Sequence, residues 1–95
     1  MSDIGGPRPD FDEVWRRIIA HATEEFRQVR GGVFTYLVDG NVVIPDRTDY
    51  QFARSEFIKA YERMPVSGPG ALQDLRGPSY LFAILMDDRI RRDQW

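Results

Sequence analysis

The sequence predicts an α+β fold: a helix, a β-hairpin with a third edge strand, then two C-terminal helices around one small core. Three observations carry that prediction. Apolar residues recur at steps of three and four from Phe11 to Val29. From Val33 to Ile44 the composition turns β-branched and aromatic around Asp39-Gly40. The apolar run Tyr80 to Met86 opens on Gly77-Pro78-Ser79, a helix start with Pro at its first position.

Residues 1–9 hold two Gly and two Pro and little to bury, so they are expected to be a flexible leader to a domain spanning 10–95. Asp10 suits a helix N-cap, and Asp12 and Glu13 place carboxylates where the helix dipole favours them. Phe11, Val14, Trp15, Ile18, Ile19, Ala22, Phe26 and Val29 form one stripe, with Gly31-Gly32 as the expected stop.

Val33 to Val38 and Asn41 to Ile44 read as two strands joined by an Asp39-Gly40 turn. With Val38 opposite Asn41, Tyr36 opposes Val43 and Phe34 opposes Pro45 on one face. Leu37 opposes Val42 and Thr35 opposes Ile44 on the other. Neither face is polar, so both need cover. The chain's own helices are the expected cover, and a homodimer is the alternative.

Tyr50 to Ala53 alternates as a third strand would, and Ser55 is the expected N-cap of a helix over Glu56 to Met64, closed by Pro65. Ala71 to Leu75 suits one helical turn. Tyr80 to Met86 contains Ala, two Leu and Met, which favours helix over buried strand. Ile90 and Trp95 are candidate anchors in the charged tail.

The chain has 95 residues, no Cys and a net charge of −2. Its length suits one small core. Without Cys there is no disulfide framework, thiolate zinc site, Fe–S cluster or cysteine nucleophile. No secretory leader or membrane span is legible, and a cytoplasmic location is expected. His21 has Glu24 and Glu25 beside it at helical spacing, two kinds of ligand but no second His, so no metal is expected. Ser55, Ser67 and Ser79 lack a nucleophile-elbow context, and adjacent carboxylates such as Asp87-Asp88 do not face one another. Neither a catalytic residue nor a cofactor is expected. Ser67-Gly-Pro-Gly70 lacks the ending of a phosphate loop.

Two binding readings remain. In the first, a protein partner or a second copy of the chain docks on the apolar hairpin face through Phe34, Tyr36 and Val43. In the second, nucleic acid is held by arginines that cluster in space. Of the 13 cationic residues only Lys59 is not Arg. Guanidinium groups suit bidentate phosphate contacts and stacking, although a GC-rich coding background gives the same excess. Arg47, Arg54 and Arg76, with Ser79 at a helix start, are the anion-contact candidates, and Tyr36 and Tyr50 are aromatics that could stack on bases. The first reading is the leading expectation and the second its alternative.

Overall fold

In a computed structural model residues 8 to 95 are described. The expected leader lies outside those residues except for its last two positions. These two are tied down: the Arg8 guanidinium donates to the Met64 and Tyr61 carbonyls at 2.7 and 2.5 Å and lies 4.2 Å from the Tyr61 ring centre. The Tyr61 hydroxyl donates to the Pro9 carbonyl.

Helix α1 runs Phe11–Ala20, and the Asp10 side chain accepts from the Glu13 N–H at 3.1 Å, the expected cap. Val14, Trp15 and Ile18 are buried, while Ile19 is about half exposed. The helix does not continue to Gly31-Gly32. Its last turn closes at His21, and Thr23, at φ 72°, turns the chain and donates its N–H to the Tyr36 carbonyl at 2.8 Å. Phe26–Arg27 then forms strand β1, antiparallel to β2 at Val33–Phe34. The pairing brings the Phe26 ring to 6.0 Å from Phe34 and 5.2 Å from Tyr36. Gly31, at φ 93°, belongs to the turn between these strands and not to a helix cap. Packing of three aromatic rings outweighs a helical spacing that Phe26 and Val29 fit only by coincidence.

Strand β3 is Tyr36–Asp39, β4 is Val42–Pro45 and β5 is Phe52–Ala53, in the antiparallel order β3-β4-β5. The register differs from expectation by two positions: Tyr36 faces Pro45, Leu37 faces Ile44, Val38 faces Val43 and Asp39 faces Val42. The turn is therefore Gly40-Asn41, with Gly40 at φ 60° supplying the positive φ at its first central position. A slip of two leaves every side chain on its original face. The expected continuous strand also breaks at Thr35. There the Thr35 N–H donates to Asp46 Oδ1 at 2.9 Å and the Asp46 N–H returns to the Thr35 carbonyl at 3.0 Å. Phe34 pairs with Phe26 in the smaller sheet instead of with Pro45. The third strand forms, two residues long, with Val43 opposite Phe52.

Helix α2 is Arg54–Arg63. Ser55 is not its cap: β5 passes directly into the helix at Ala53, and the Arg54 N–H is satisfied by the Asn41 carbonyl at 2.7 Å. Phe57, Ala60, Tyr61 and Met64 are buried as expected. A 3-10 turn occupies Pro69–Leu72, slightly before the expected helical turn, and Leu72 is buried. Helix α3, Pro78–Leu85, starts at the expected Pro after Gly77 in the left-handed region, φ 72°. Asp87 caps the short α4, Asp88–Arg91. Ile90 and Trp95 are both buried, and the Trp95 indole N–H donates to the Leu85 carbonyl at 2.9 Å.

The core collects α1, α2, α3 and α4 against the inner sheet faces, where Phe26, Phe34, Tyr36, Val43 and Phe52 lie. The expectation that both hairpin faces are covered holds for one only. On the outer face Leu37 is 58% exposed and Val42 and Ile44 are half-buried. Among the described residues no helix is long and apolar enough to cross a membrane.

Candidate functional site

The residues expected to form a partner interface are interior ones. Phe34, Tyr36 and Val43 are 2%, 1% and 0% exposed, so they have no surface to offer. The alternation sends Phe34, Tyr36 and Val43 inward together, onto the face that the helices cover. Burial pushes the Tyr36 phenol well above its ordinary pKa, and its hydroxyl donates to the Ile18 carbonyl at 2.6 Å. Its role is to join sheet and α1, and it is not a stacking platform.

The arginine candidates divide. Arg47, Arg76 and Ser79 line one cleft of about 580 Å³, together with Thr48, Tyr50, Phe52, Gly77 and Tyr80. One wall is the segment 46–50, anchored by the Thr35–Asp46 hydrogen bonds and by the Arg47 guanidinium, which donates to the Val33 carbonyl at 3.0 Å. Thr48 Oγ1 accepts from the Tyr50 N–H at 3.1 Å and sets the bend of that segment. The other wall is the start of α3. There the Arg76 N–H donates to Glu56 Oε1 at 2.9 Å, and Ser79 Oγ accepts from Gln28 Nε2 at 3.0 Å. The Phe52 and Tyr80 rings, 5.4 Å apart, border the cleft from below, and Tyr80 packs edge-on against Phe34 at 4.9 Å.

Gly77 fits this corner for two reasons. Its φ of 72° disfavours any other residue, and a Cβ there would stand 2.7 and 2.8 Å from Phe52 Cζ and Cδ1, with Cε1 closer still. Close approach of backbone to ring seats the helix start on the sheet.

Across the cleft, the Arg76 guanidinium carbon lies 5.9 Å from the centre of the Tyr50 ring. Tyr50 is 63% exposed, the most open of the buried and exposed tyrosines. No carboxylate lines the cleft, and among the described residues neither Arg47 nor Arg76 takes part in an ion pair. Glu56, beside the cleft, accepts from the Arg76 N–H and from Lys59 Nζ at 3.2 Å. The Arg76 N–H bond holds its carboxyl below the ordinary range, against burial and with help from Lys59, so it stays ionised. A smaller recess of about 190 Å³ adjoins at Ser79, lined also by Gln28, Val29, Arg30 and Pro69, again without a carboxylate.

Arg54 is not part of this site. Its guanidinium pairs with Asp12 and lies 5.2 and 5.7 Å from the Phe11 and Trp15 rings, which fastens the start of α2 to α1. His21 Nδ1 lies 3.0 Å from Glu24, which also accepts from Arg89, so this carboxylate has two side-chain partners. Among the described residues no group of three His, Asp or Glu side chains could hold a metal.

Arg30 and Thr48 are parts of the site that the sequence does not single out, whereas Gly77 lies within the run Arg76-Gly77-Pro78-Ser79 that it does. Arg30 was hidden by assigning Gly31-Gly32 to a helix end. Read as a hairpin turn, the same dipeptide places Arg30 at an exposed tip. No family model, curated protein or solved structure matches this chain.

Proposed function

We propose that this chain is a non-enzymatic nucleic-acid-binding module whose contact surface is the cleft of Arg47, Tyr50, Arg76 and Ser79. The observation that carries the reading is convergence. Two guanidinium groups without ion-pair partners among the described residues, a hydroxyl and an open aromatic ring line one recess to which no described carboxylate contributes, in a chain of net charge −2. A guanidinium in that state offers its donors to a phosphate without first breaking an internal ion pair. The uneven charge distribution also localises an anion to one side of an otherwise mildly acidic molecule.

Fluorescence anisotropy with labelled oligonucleotides tests the reading, titrated at roughly 50 and 200 mM salt because phosphate contacts release counterions. The expected result is binding that weakens steeply with salt, with a slope that falls by about one for each of Arg47→Ala and Arg76→Ala. Affinity indifferent to salt and to both substitutions would count against it.

A second reading is favoured by a different surface. Leu37, with Val42 and Ile44 beside it, forms an apolar patch on the outer hairpin face that suits a protein partner or a second copy of the chain. Light scattering behind a sizing column tests self-association, which Leu37→Asp should abolish. A strictly monomeric species across concentration removes the homodimer form of that reading.

A further inference from the structure

We infer that the cleft takes single-stranded rather than duplex nucleic acid, with one base stacked on Tyr50 and the strand continuing past Ser79 into the Arg30 recess. The inference rests on the nucleic-acid reading above and specifies the form of its ligand.

The first ground is the exposed aromatic. Of the large apolar side chains that stand at the surface, Tyr50 and Val29 are the two most exposed, at 63% and 65%, and each lines one of the two adjoining recesses. A ring left in water beside a guanidinium offers a face for stacking and a charge for the adjoining phosphate. Only a strand with unstacked bases can use that face, because a duplex presents base edges in its grooves and keeps its base faces covered.

The second ground is shape. The guanidinium groups of Arg47 and Arg76 border a recess between a loop and a helix start, so the charge is presented from a concavity. Reading a duplex through its major groove calls for an element that projects, since the groove must admit it. A recess instead admits a single chain, whose backbone can follow the floor while a base turns onto the wall.

The third ground is continuity. Ser79 borders both recesses, and its hydrogen bond from Gln28 fixes the β1–β2 turn against the start of α3. Arg76 and Arg47 on one side and Arg30 on the other thus mark a path on which no lining residue carries a negative charge.

The experiment compares a labelled mixed-sequence 12-nucleotide single strand with the blunt duplex of the same sequence, at roughly 50 mM salt. The proteins are the wild-type chain, Tyr50→Ala, Tyr50→Phe, Arg30→Ala and the double variant Arg47→Ala/Arg76→Ala. All these side chains are exposed or at loops, and thermal melts confirm that each variant folds. Single strand is expected to bind about tenfold or more tighter than duplex. Tyr50→Ala is expected to cost about tenfold on the strand, Tyr50→Phe less than about twofold, and Arg30→Ala several-fold. Duplex binding as tight as strand binding, or a neutral Tyr50→Ala, overturns the single-strand inference. If binding still depends on Arg47 and Arg76 in that case, the broader nucleic-acid reading stands. Absence of binding to either form overturns both.

Discussion

Arg17 and Arg89, beside and within α4, are fastened from several directions, whereas among the described residues Arg47 and Arg76 of the Tyr50 cleft have no carboxylate partner. Arg89 donates to both Asp87 oxygens at 2.8 Å, to Glu24 at 3.0 Å and to the Glu25 carbonyl at 2.8 Å, and it lies 3.9 Å from the Phe26 ring centre. Arg17, the one buried charged residue among those described, donates to Glu13 and to the Ile90 carbonyl and so ties α1 to α4. Arg47 has one carbonyl partner, and Arg76 leans toward a ring. The same side chain serves as a structural tie on one side of the molecule and, in the function proposed above, as a charge offered to a ligand on the other. An excess of arginine therefore says little until each guanidinium is assigned its partners.

The most damaging way to break that contrast is at the corner of the cleft where α3 starts. Gly77→Ala imposes a positive φ on a residue with a Cβ and drives that Cβ into the Phe52 ring, so we expect a loss of about 2–4 kcal/mol in chemical denaturation. It should also weaken oligonucleotide binding, because the cleft corner moves with it. Arg89→Ala comes next, at about 2 kcal/mol, from lost charged hydrogen bonds and the contact with Phe26. Its oligonucleotide affinity should stay within about twofold of wild type, and a large change would mean that the two regions are not separable. The double variant Arg47→Ala/Arg76→Ala reverses the pattern: a large loss of binding with a melting temperature within about 3 °C of wild type, as expected for exposed sites.

Acidity separates the regions more gently. Asp74 is held at about 2 by its hydrogen bonds with Arg63. Glu24 is lowered by His21 and Arg89, and Asp87 is lowered because its bonds from Arg89 outweigh the effect of burial. These carboxyls release protons more readily in the folded chain than in the unfolded one. Their stabilisation is complete above about pH 4.5, the ordinary range, and is lost as the pH falls toward about 2. Circular dichroism along an acid titration should show this decline, and Arg89→Ala should make it shallower. Oligonucleotide binding should vary little between about pH 5.5 and 8, since neither a carboxylate nor a histidine lines the cleft. The smallest effect is expected of Leu37→Thr, within about 0.5 kcal/mol, because that side chain is already mostly in water.

The parts of the fold legible in the sequence were those with strong local signals. The Asp10 cap, the Pro78 start of α3 and the alternation that sends Tyr36 and Val43 to one face are local chemistry, and each formed as read. What was not legible depended on distant partners. Phe26 and Val29 continue the spacing of α1, and a two-residue strand is too short to display a period of its own, so only the pairing with Val33–Phe34 reveals it. The register missed by two because Asp39-Gly40 and Gly40-Asn41 are both good turn dipeptides, and the choice follows from where β4 meets β5. For the site, Arg47 and Arg76 lie in loops and Ser79 in the first turn of α3, and all three line one cleft. Arg54 does not, since its partner Asp12 lies across an interhelical contact that no local pattern encodes.

The reciprocal bonds between Thr35 and Asp46 join the root of the segment carrying Arg47 to the point where the two sheets divide. That segment is consequently anchored before any ligand arrives. Amide exchange at Thr35 and Asp46 should follow the sheet rather than the loop, and ligand capture there would require little ordering of the backbone.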